Sequence, residues 1–79
     1  PFVCRINMVL LNMSSGLAVV SAEIARDGGN IINFKILSRH EDYFEMNFDV
    51  EVDSADNIEK IINTLRTKKI IQSIERARY

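Results

Sequence analysis

The chain has 79 residues, so it forms one domain at most, and a domain of this size gains stability from a partner. Its 47% hydrophobic and 27% charged residues are typical of a globular protein and exclude a disordered one. A net charge of −1 argues against non-specific binding of nucleic acids, which requires a basic excess.

The first half of the chain is predicted to form a strand, a turn and a helix. Residues 2–12 alternate as a strand, and its predicted core face consists of Cys4, Ile6, Met8 and Leu10. Residues 12–16 are predicted to form a turn. Apolar and small side chains then recur at the spacing of an amphipathic helix: Leu17, Val20, Ser21, Ile24 and Ala25. Residues 27–30 (Asp-Gly-Gly-Asn) end this helix, because glycine readily adopts the left-handed conformation of a C-terminal cap.

The second half is predicted to contain two strands, a helix and a last strand. Residues 31–38 (IINFKILS) form a β-branched and aromatic run, and residues 40–42 form a hairpin loop. Residues 43–52 (YFEMNFDVEV) alternate throughout, with a core face of Phe44, Met46, Phe48, Val50 and Val52. Residues 53–56 supply helix caps, and the apolar stripe of the next helix consists of Ile58, Ile61, Ile62 and Leu65. Residues 70–77 (IIQSIERA) form the fourth strand, after basic side chains that complement the helix dipole: Arg66, Lys68 and Lys69.

The order of elements, β-α-β-β-α-β, predicts an α+β fold of the ferredoxin-like type. Right-handed crossovers place both helices on one face of a four-stranded antiparallel sheet. The opposite face is left for solvent or a partner and holds Asn7, Lys35, Glu45, Asn47 and Asp49. An RNA-recognition motif shares this topology but stacks bases on exposed aromatic residues of the sheet, whereas Phe44 and Phe48 belong to the core face here. We therefore exclude that alternative.

The residues that could carry chemistry do not form a catalytic or metal-binding constellation. His40 is predicted to be a solvated loop residue, and Cys4 a small buried one. Acidic residues alternate with core residues on the third strand, as is typical of a solvated sheet face: Glu45, Asp49 and Glu51. The turn of residues 12–16 lacks the lysine and second glycine of a phosphate loop, but its amides at a helix N-terminus could take a carboxylate. These features predict a small binding or interaction module with neither a metal nor a cofactor.

Further sequence features concern the cellular context. No apolar run reaches the roughly 18 residues that span a membrane, and residues 1–12 lack the zones of a signal peptide. The single cysteine excludes an internal disulfide and fits a reducing cytoplasm. Because the chain begins at Pro1, without an initiator Met, we expect it to be a piece of a longer protein.

A known family combines these elements with similar residues at their ends. Asn12 ends the first strand, Leu17 lies early in the first helix, and Asn30 and Ile31 open the second strand. The segments RINMVLLN, GGNIINFKI, DYFEMNFDVEV and IIQSIERA strengthen the likeness. Over nearly all of residues 4–77, the chain resembles an ACT domain, particularly the C-terminal ACT domain of RelA/SpoT-type bifunctional alarmone synthetase/hydrolases of alphaproteobacteria.

This resemblance implies that residues 1–79 are a single regulatory ACT domain without catalytic residues of its own. The parent enzymes make (p)ppGpp from ATP and GDP or GTP, and degrade it in a manganese-dependent hydrolase domain. Both catalytic domains are N-terminal to the ACT domain. Because ACT domains pair, the resemblance implies a homodimer, in a cytoplasmic protein. It also implies two partners within the cell, namely the ribosome and the catalytic domains of the parent enzyme.

The resemblance also implies a pocket for a small effector, such as a branched-chain amino acid, at the first turn. Its residues would be Asn12, Ser14, Ser15, Gly16, Leu17, Asn30 and Ile31. Asn12 would hold the amino group of the ligand, and the amides of the turn would hold its carboxylate. The family has Pro-Gly where this chain has Ser14 and Ser15. The Cβ of Ser15 hinders the close approach of a ligand carboxylate to the backbone amides. Two functions therefore stay open: a sensor that binds an amino acid at a dimer interface, and a module that docks the enzyme on the ribosome or against its catalytic half.

Overall fold

The computed structural model describes residues 1–12 and 14–77. In chain order their elements are β1 (Phe2–Leu11), α1 (Gly16–Arg26), β2 (Asn30–Arg39), β3 (Tyr43–Val52), α2 (Ala55–Arg66) and β4 (Ile71–Arg76). Every predicted element is present, and the ends of the strands differ from the predicted ends by one residue at most. Met13, in the predicted turn, lies outside the described residues, as do the last two positions of the predicted domain.

The strands form one antiparallel sheet in the order β2-β3-β1-β4. Strand β1 pairs with β3 along its full length, from Phe2 opposite Val52 to Leu11 opposite Tyr43. Both helices contribute side chains to the same core as the inner faces of the strands. The predicted ferredoxin-like architecture is therefore confirmed, with β2 and β4 as the two edges of the sheet.

Alternating side chains of β1 and β3, together with the stripes of the two helices, build the core. Its buried apolar side chains are Cys4, Ile6, Met8, Leu10, Val20, Ile24, Met46, Phe48, Val50, Val52, Ile58, Ile61, Ile62, Leu65, Ile71 and Ile74. The predicted core faces of β1 and β3 belong to this set, except that Phe44 is half-buried at its border. The predicted stripe of α2 is confirmed in full. Removal of these side chains from water is the main force that joins the layers.

Strand β2 is irregular because it carries two bulges. Its register against β3 shifts at Ile32 and again at Leu37, so that two residues of β2 oppose one residue of β3 at each place. Both extra residues are large, apolar and exposed. The predicted strand over residues 31–38 is confirmed, but its sequence gave no sign of the bulges, because nothing in IINFKILS marks where an extra residue enters.

The buried face of α1 differs from the predicted stripe. Val20 and Ile24 are buried as predicted, but Leu17 is 40% exposed and Ala25 is exposed as well. In their place the helix buries Glu23, which is only 3% exposed. The predicted stripe of α1 is therefore wrong at these two positions, and a carboxylate lies where the sequence pattern places no core residue.

Ion pairs explain why a carboxylate can lie in this face of α1. The Nζ atom of Lys68 lies 3.1 Å from Oε1 of Glu23, and Nη1 of Arg26 lies 3.2 Å from the same oxygen. The hydrogen bond with Lys68 holds the pKa of Glu23 below its ordinary value, against the opposing effect of burial. A buried charge is tolerated where it is paired. The partner Lys68 is distant in sequence, so apolar periodicity within α1 carries no information about it.

The ends of α2 also differ in detail from the prediction. Ser54 occupies the N-terminal cap position, but its hydroxyl donates to Oδ1 of Asn57 at 2.9 Å instead of accepting from a backbone amide. At the other end, Arg66 donates to the carbonyl of Ile74 at 3.3 Å, and Lys68 binds Glu23. The basic residues at this end thus tie α2 to β4 and α1, in addition to lying near the negative end of the helix dipole.

Gly28 ends α1 in the left-handed conformation, with a φ of 87°. Its amide donates to the carbonyl of Ala25 at 3.2 Å, and the amide of Gly29 donates to the carbonyl of Ile24 at 2.8 Å. This pair of hydrogen bonds defines a Schellman motif. The predicted glycine cap is therefore confirmed.

Gly29→Ala is expected to lower the free energy of unfolding by about 1–3 kcal/mol, because the added methyl group overpacks the core. A Cβ on Gly29 would lie 2.8 Å from Ile24 and 2.9 Å from both Ile61 and Val50. Gly16→Ala is the matched control, since its Cβ would find its nearest neighbour at 3.4 Å, an ordinary contact. Urea denaturation of both variants measures the difference, and equal stabilities would contradict the close packing at Gly29.

Candidate functional site

The turn between β1 and α1 presents backbone amides at the N-terminus of a helix. Ser15 is the cap residue, with φ of −94° and ψ of −4°, and its side chain makes no capping hydrogen bond. The amide of Val19 donates to the carbonyl of Ser15 at 3.0 Å and so begins the hydrogen-bond ladder of the helix. The amides that precede Val19 in α1 have no partner within the helix, which is the arrangement that binds carboxylates.

Asn12 fixes the end of β1 to the loop between β2 and β3. Its backbone amide donates to the carbonyl of Asp42 at 2.8 Å, and its side-chain Nδ2 donates to the carbonyl of Glu41 at 3.1 Å. Because Nδ2 is the donor, Oδ1 is oriented as the acceptor. An oxygen acceptor is what the predicted role of Asn12, holding an ammonium group, requires.

The remaining residues of the turn place small and apolar groups beside these amides. Ser14 and Ser15 are exposed, Gly16 is buried, and the exposed side chain of Leu17 follows directly. At about 100° per residue, Leu17 lies about 120° around α1 from Glu23, and therefore away from the side that contacts Lys68. The structure thus brings the five predicted residues of the first turn together at one end of the sheet.

Asn30 and Ile31 lie at the opposite end of the sheet from this turn. Asn30 pairs with Glu51, and Glu51 pairs with Val3, near the beginning of β1. Nine residues of extended chain separate that level from Asn12, which corresponds to about 30 Å. A single chain therefore cannot close one small pocket with both groups of predicted residues.

The edge strand β2 carries an apolar surface that the sequence pattern did not identify. Phe34 and Ile36 pair with Phe48 and Met46, so they belong to the helix side of the sheet, yet they are 50% and 38% exposed. The ring of Phe34 stacks on that of Phe48 with a centroid distance of 6.1 Å. We call Phe34, Ile36 and the half-buried Ile31 the β2 shelf. The pattern "IINFKI" showed apolar side chains but not that the helices leave them uncovered.

The open face of the sheet, which lies away from the helices, contains an organised ion pair. Nε of Arg5 donates to Oδ1 of Asp49 at 2.8 Å, and Nη2 donates to Oδ2 at 3.2 Å. The hydrogen bond from Arg5 holds the pKa of Asp49 below its ordinary value, against burial and with help from Asn33. For Asp49 the prediction of a simply solvated acid is therefore wrong, because Arg5 lies directly opposite it in the register of β1 and β3.

Beside this ion pair, two amide groups of the open face are opposed across β1 and β3. Asn7 pairs with Asn47, and Oδ1 of each side chain is buried without a hydrogen-bond partner among the described residues. A cavity of about 190 Å³ lies against Asn7, and a second of about 110 Å³ lies against Asn47. Buried acceptors without donors are uncommon in folded proteins.

The two other residues that could carry chemistry, Cys4 and His40, lie in ordinary structural environments. Cys4 is buried in the core, as predicted. His40 is an exposed loop residue whose ring stacks on Tyr43 at 4.4 Å and lies 3.1 Å from the hydroxyl of Ser38. Within residues 1–12 and 14–77, no group of three or more His, Cys, Asp and Glu side chains could hold a metal ion. In the same described part of the chain, no helix has the length and apolar character needed to cross a membrane.

Comparison with known proteins identifies the family. Residues 1–76 match the ACT domain family. The chain therefore belongs to the ACT domain family, whose domains are regulatory and not catalytic. No curated protein sequence matches it significantly.

Solved structures show the same fold at low sequence identity. The crystal structure of the ACT domain from GTP pyrophosphokinase of Chlorobium tepidum is 18% identical, with a TM-score of 0.80, over 96% of this chain and 97% of that one. The solution structure of that domain gives a TM-score of 0.77 at 18% identity, over 99% and 88% of the two chains. The C-terminal domain of the MgtC protein from Mycobacterium tuberculosis, at 9% identity, gives 0.71 over 95% and 84%.

Asp49→Asn is expected to lower the free energy of unfolding at neutral pH by about 0.5–1 kcal/mol, a value that allows for solvent screening of the partly exposed pair. The folded-state pKa of Asp49 is lowered, so its contribution is complete above the unfolded-state value of about 3.9 and disappears as the pH falls through the folded-state value. The substitution should therefore destabilise the domain less in that acid range than it does at neutral pH.

Glu51→Gln is the control for this substitution, because Glu51 lies on the same strand and the same face as Asp49. Urea denaturation across the acid range measures both variants. The same pH dependence in Asp49→Asn and in the native chain would contradict the role of the ion pair.

Proposed function

We propose that this ACT domain is the C-terminal regulatory domain of a RelA/SpoT-type GTP pyrophosphokinase and (p)ppGpp hydrolase, a cytoplasmic enzyme of the stringent response. Two observations support the proposal. Segments such as RINMVLLN and DYFEMNFDVEV resemble that enzyme family, and the fold matches the ACT domain of a GTP pyrophosphokinase over 96% of the chain. The domain would sense starvation by binding a branched-chain amino acid at the turn between β1 and α1.

The arrangement of the turn supports this ligand class. The carboxylate of an amino acid would accept hydrogen bonds from the amides of Gly16 and Leu17, because these amides lie at the N-terminus of α1. Its ammonium group would donate to Oδ1 of Asn12, whose orientation is fixed by the bond from Nδ2 to Glu41. The exposed side chain of Leu17 would contact an aliphatic side chain of the ligand.

A homodimer would complete this site. Two-fold antiparallel pairing of β2 about Lys35 would cover the β2 shelf and its unpaired edge, which would otherwise remain an exposed apolar strand. Such pairing places the partner's Ile31 opposite Arg39. Because Arg39 pairs with Phe44 and Phe44 with Leu10, the partner's Asn30 and Ile31 would lie at the level of the turn. One observation carries the proposal. Within one chain, Asn30 and Ile31 lie at the opposite end of the sheet from Asn12 and the turn, so a second chain would be needed to bring the two groups together.

Ser15 favours a second candidate function. Its side chain stands in the turn where the family has glycine, and a Cβ at that position narrows the approach of a carboxylate to the backbone. If the turn takes no amino acid, the domain would act by docking the enzyme on the ribosome or against its own catalytic domains. The Glu45, Asp49 and Glu51 carboxylates make the open face an unfavourable surface for RNA.

Titration of the isotope-labelled chain with valine, leucine and isoleucine, followed by amide NMR, tests the sensor function. We expect saturable shifts at residues 12–17 and 30–31. Asn12→Ala should weaken binding by about 1.5–3 kcal/mol, because a hydrogen bond to a charged group is lost. Ser15→Gly should strengthen binding, because it removes the Cβ from the approach path.

Asn63→Ala is the matched control for Asn12→Ala, since Asn63 is an exposed asparagine on α2. It should leave the affinity unchanged. If neither the native chain nor Ser15→Gly shows shifts at the turn, the sensor function is wrong and docking is the better account.

A further inference from the structure

Strand β4 is the edge of the sheet opposite to β2, and β1 is its one neighbour among the strands of the described residues. The amide of Ala77 donates to the carbonyl of Arg5 at 2.8 Å, so the backbone groups of Ala77 point toward β1. Because these groups alternate in direction along an antiparallel strand, those of Ile74 and Arg76 point away from β1. The outer edge of β4 therefore offers backbone amides and carbonyls to a further strand.

One of these outward carbonyls is covered by a side chain from α2. Nη2 of Arg66 donates to the carbonyl of Ile74 at 3.3 Å, which is long for such a hydrogen bond, and the Arg66 side chain is exposed. The backbone amide of a docked strand can replace Arg66 at this carbonyl, because strand pairing offers it a donor in the same direction. The guanidinium group of Arg66 then becomes available to the docked strand.

A cavity of about 420 Å³ lies between α2 and this edge of the sheet, and we call it the α2–β4 groove. Its lining consists of Ile58, Glu59, Ile62, Asn63, Arg66 and Arg76. Arg76 pairs with Ile6, whose side chain is in the core, so the Arg76 side chain lies on the helix side of the sheet. Every second side chain of a strand docked on β4 would lie on this same side and enter the groove.

The charges of the α2–β4 groove indicate the chemistry of that strand. Its lining contains two arginines and one glutamate, which gives a net charge of +1. Within residues 1–12 and 14–77, neither Arg66 nor Arg76 forms an ion pair with a carboxylate. Glu59 is seven residues before Arg66, which places it about 10 Å away along α2. An acidic segment is therefore the one that complements this edge in charge.

We propose that the edge of β4 docks an extended acidic segment of another protein as a fifth, antiparallel strand. The main chain of the segment pairs with Ile74 and Arg76, and its residues opposite these two point into the α2–β4 groove. A carboxylate opposite Arg76 forms a cross-strand ion pair, and one opposite Ile74 accepts from Arg66. The segment that fits has acidic residues two positions apart, with β-branched residues beside them.

This docking edge is separate from the surface proposed for the homodimer. Strands β3 and β1 lie between β2 and β4, and neighbouring strands are about 4.8 Å apart, so the two edges are separated by about 14 Å. A dimer joined through β2 would keep the β4 edge of each copy open. Docking of an acidic segment on β4 therefore depends neither on the dimer nor on the binding of an amino acid.

Amide NMR of the labelled chain, titrated with the peptide acetyl-TEVEVT-amide, tests the proposal. We expect saturable shifts at residues 58–66 and 72–77, together with slower hydrogen exchange at the amides of Ile74 and Arg76. In the double variant Arg66→Gln/Arg76→Gln, the affinity should fall about tenfold or more, because charged hydrogen bonds are lost.

Lys60→Gln/Lys69→Gln is the matched control, because both lysines are exposed and neither lines the groove. It removes the same amount of charge and should bind the peptide like the native chain. Equal losses of affinity in the two double variants, or no saturable shift at β4, would overturn the proposal.

Two altered peptides separate strand pairing from charge attraction. The peptide acetyl-TQVQVT-amide keeps the backbone donors and loses the charge. A second peptide carries N-methyl groups on both glutamates of TEVEVT, so it keeps the charge but cannot donate to the carbonyls of Ile74 and Arg76. Each should bind at least about tenfold more weakly than the original peptide. Binding of either one with unchanged affinity would overturn the proposal.

A second copy of the chain is the other occupant that the edge of β4 could take. In that case the amides of Ile74 and Arg76 would be slow to exchange without peptide, and slower as the concentration of the chain rises. That result would overturn the proposal. Exchange that is independent of concentration and slows only when the acidic peptide is added supports an acidic partner.

Discussion

The difference in length between its helices and its strands determines how this domain is organised. A helix rises about 1.5 Å per residue and a strand about 3.3 Å, so α1 spans roughly half the length of a ten-residue strand. The two helices therefore cannot cover four strands completely. They cover the central strands β1 and β3, where the inner side chains are buried, and they leave Phe34 and Ile36 of the edge strand β2 exposed. These two residues belong to the β2 shelf.

This uncovered edge connects the fold to its regulatory role. The turn offers donors for a carboxylate and an acceptor for an ammonium group, but one chain supplies only part of a pocket there. The remaining predicted residues, Asn30 and Ile31, lie about 30 Å away along the sheet. If a second copy supplies them, ligand binding and association strengthen each other, because a ligand that binds only the dimer stabilises it by mass action. A regulatory domain can transmit a signal to attached domains in this way.

The sequence was sufficient to predict the fold because its periodic signals are strong. The alternation over residues 43–52 defines β3 to the residue, and the Asp-Gly-Gly-Asn break correctly ends α1. The bulges at Ile32 and Leu37 could not be predicted, because nothing in the sequence of β2 marks an inserted residue. The burial of Glu23 depends on Lys68, which is remote in sequence. Local patterns do not report such contacts.

The candidate site was predictable only in part, for a related reason. Asn12 and the residues of the turn are neighbours in sequence, so their proximity follows from the turn itself. The position of Asn30 and Ile31 depends on the register of two strand pairs, β2 with β3 and β3 with β1. The position of Glu75 opposite Asn7 likewise depends on the pairing of β4 with β1. Register across a sheet cannot be read from composition or spacing within one strand.

A nuclear Overhauser spectrum of the chain at high concentration tests most directly whether two copies complete the site. Ile31 and Arg39 are eight residues apart on the same extended strand, so about 26 Å separates them within one chain and no cross-peak can join them there. Two-fold pairing of β2 about Lys35 places Ile31 of one copy opposite Arg39 of the other. The account predicts a backbone cross-peak between these two residues that disappears in the Ile36→Glu variant. A dimer that lacks this cross-peak, or a chain that stays monomeric at high concentration, would contradict it.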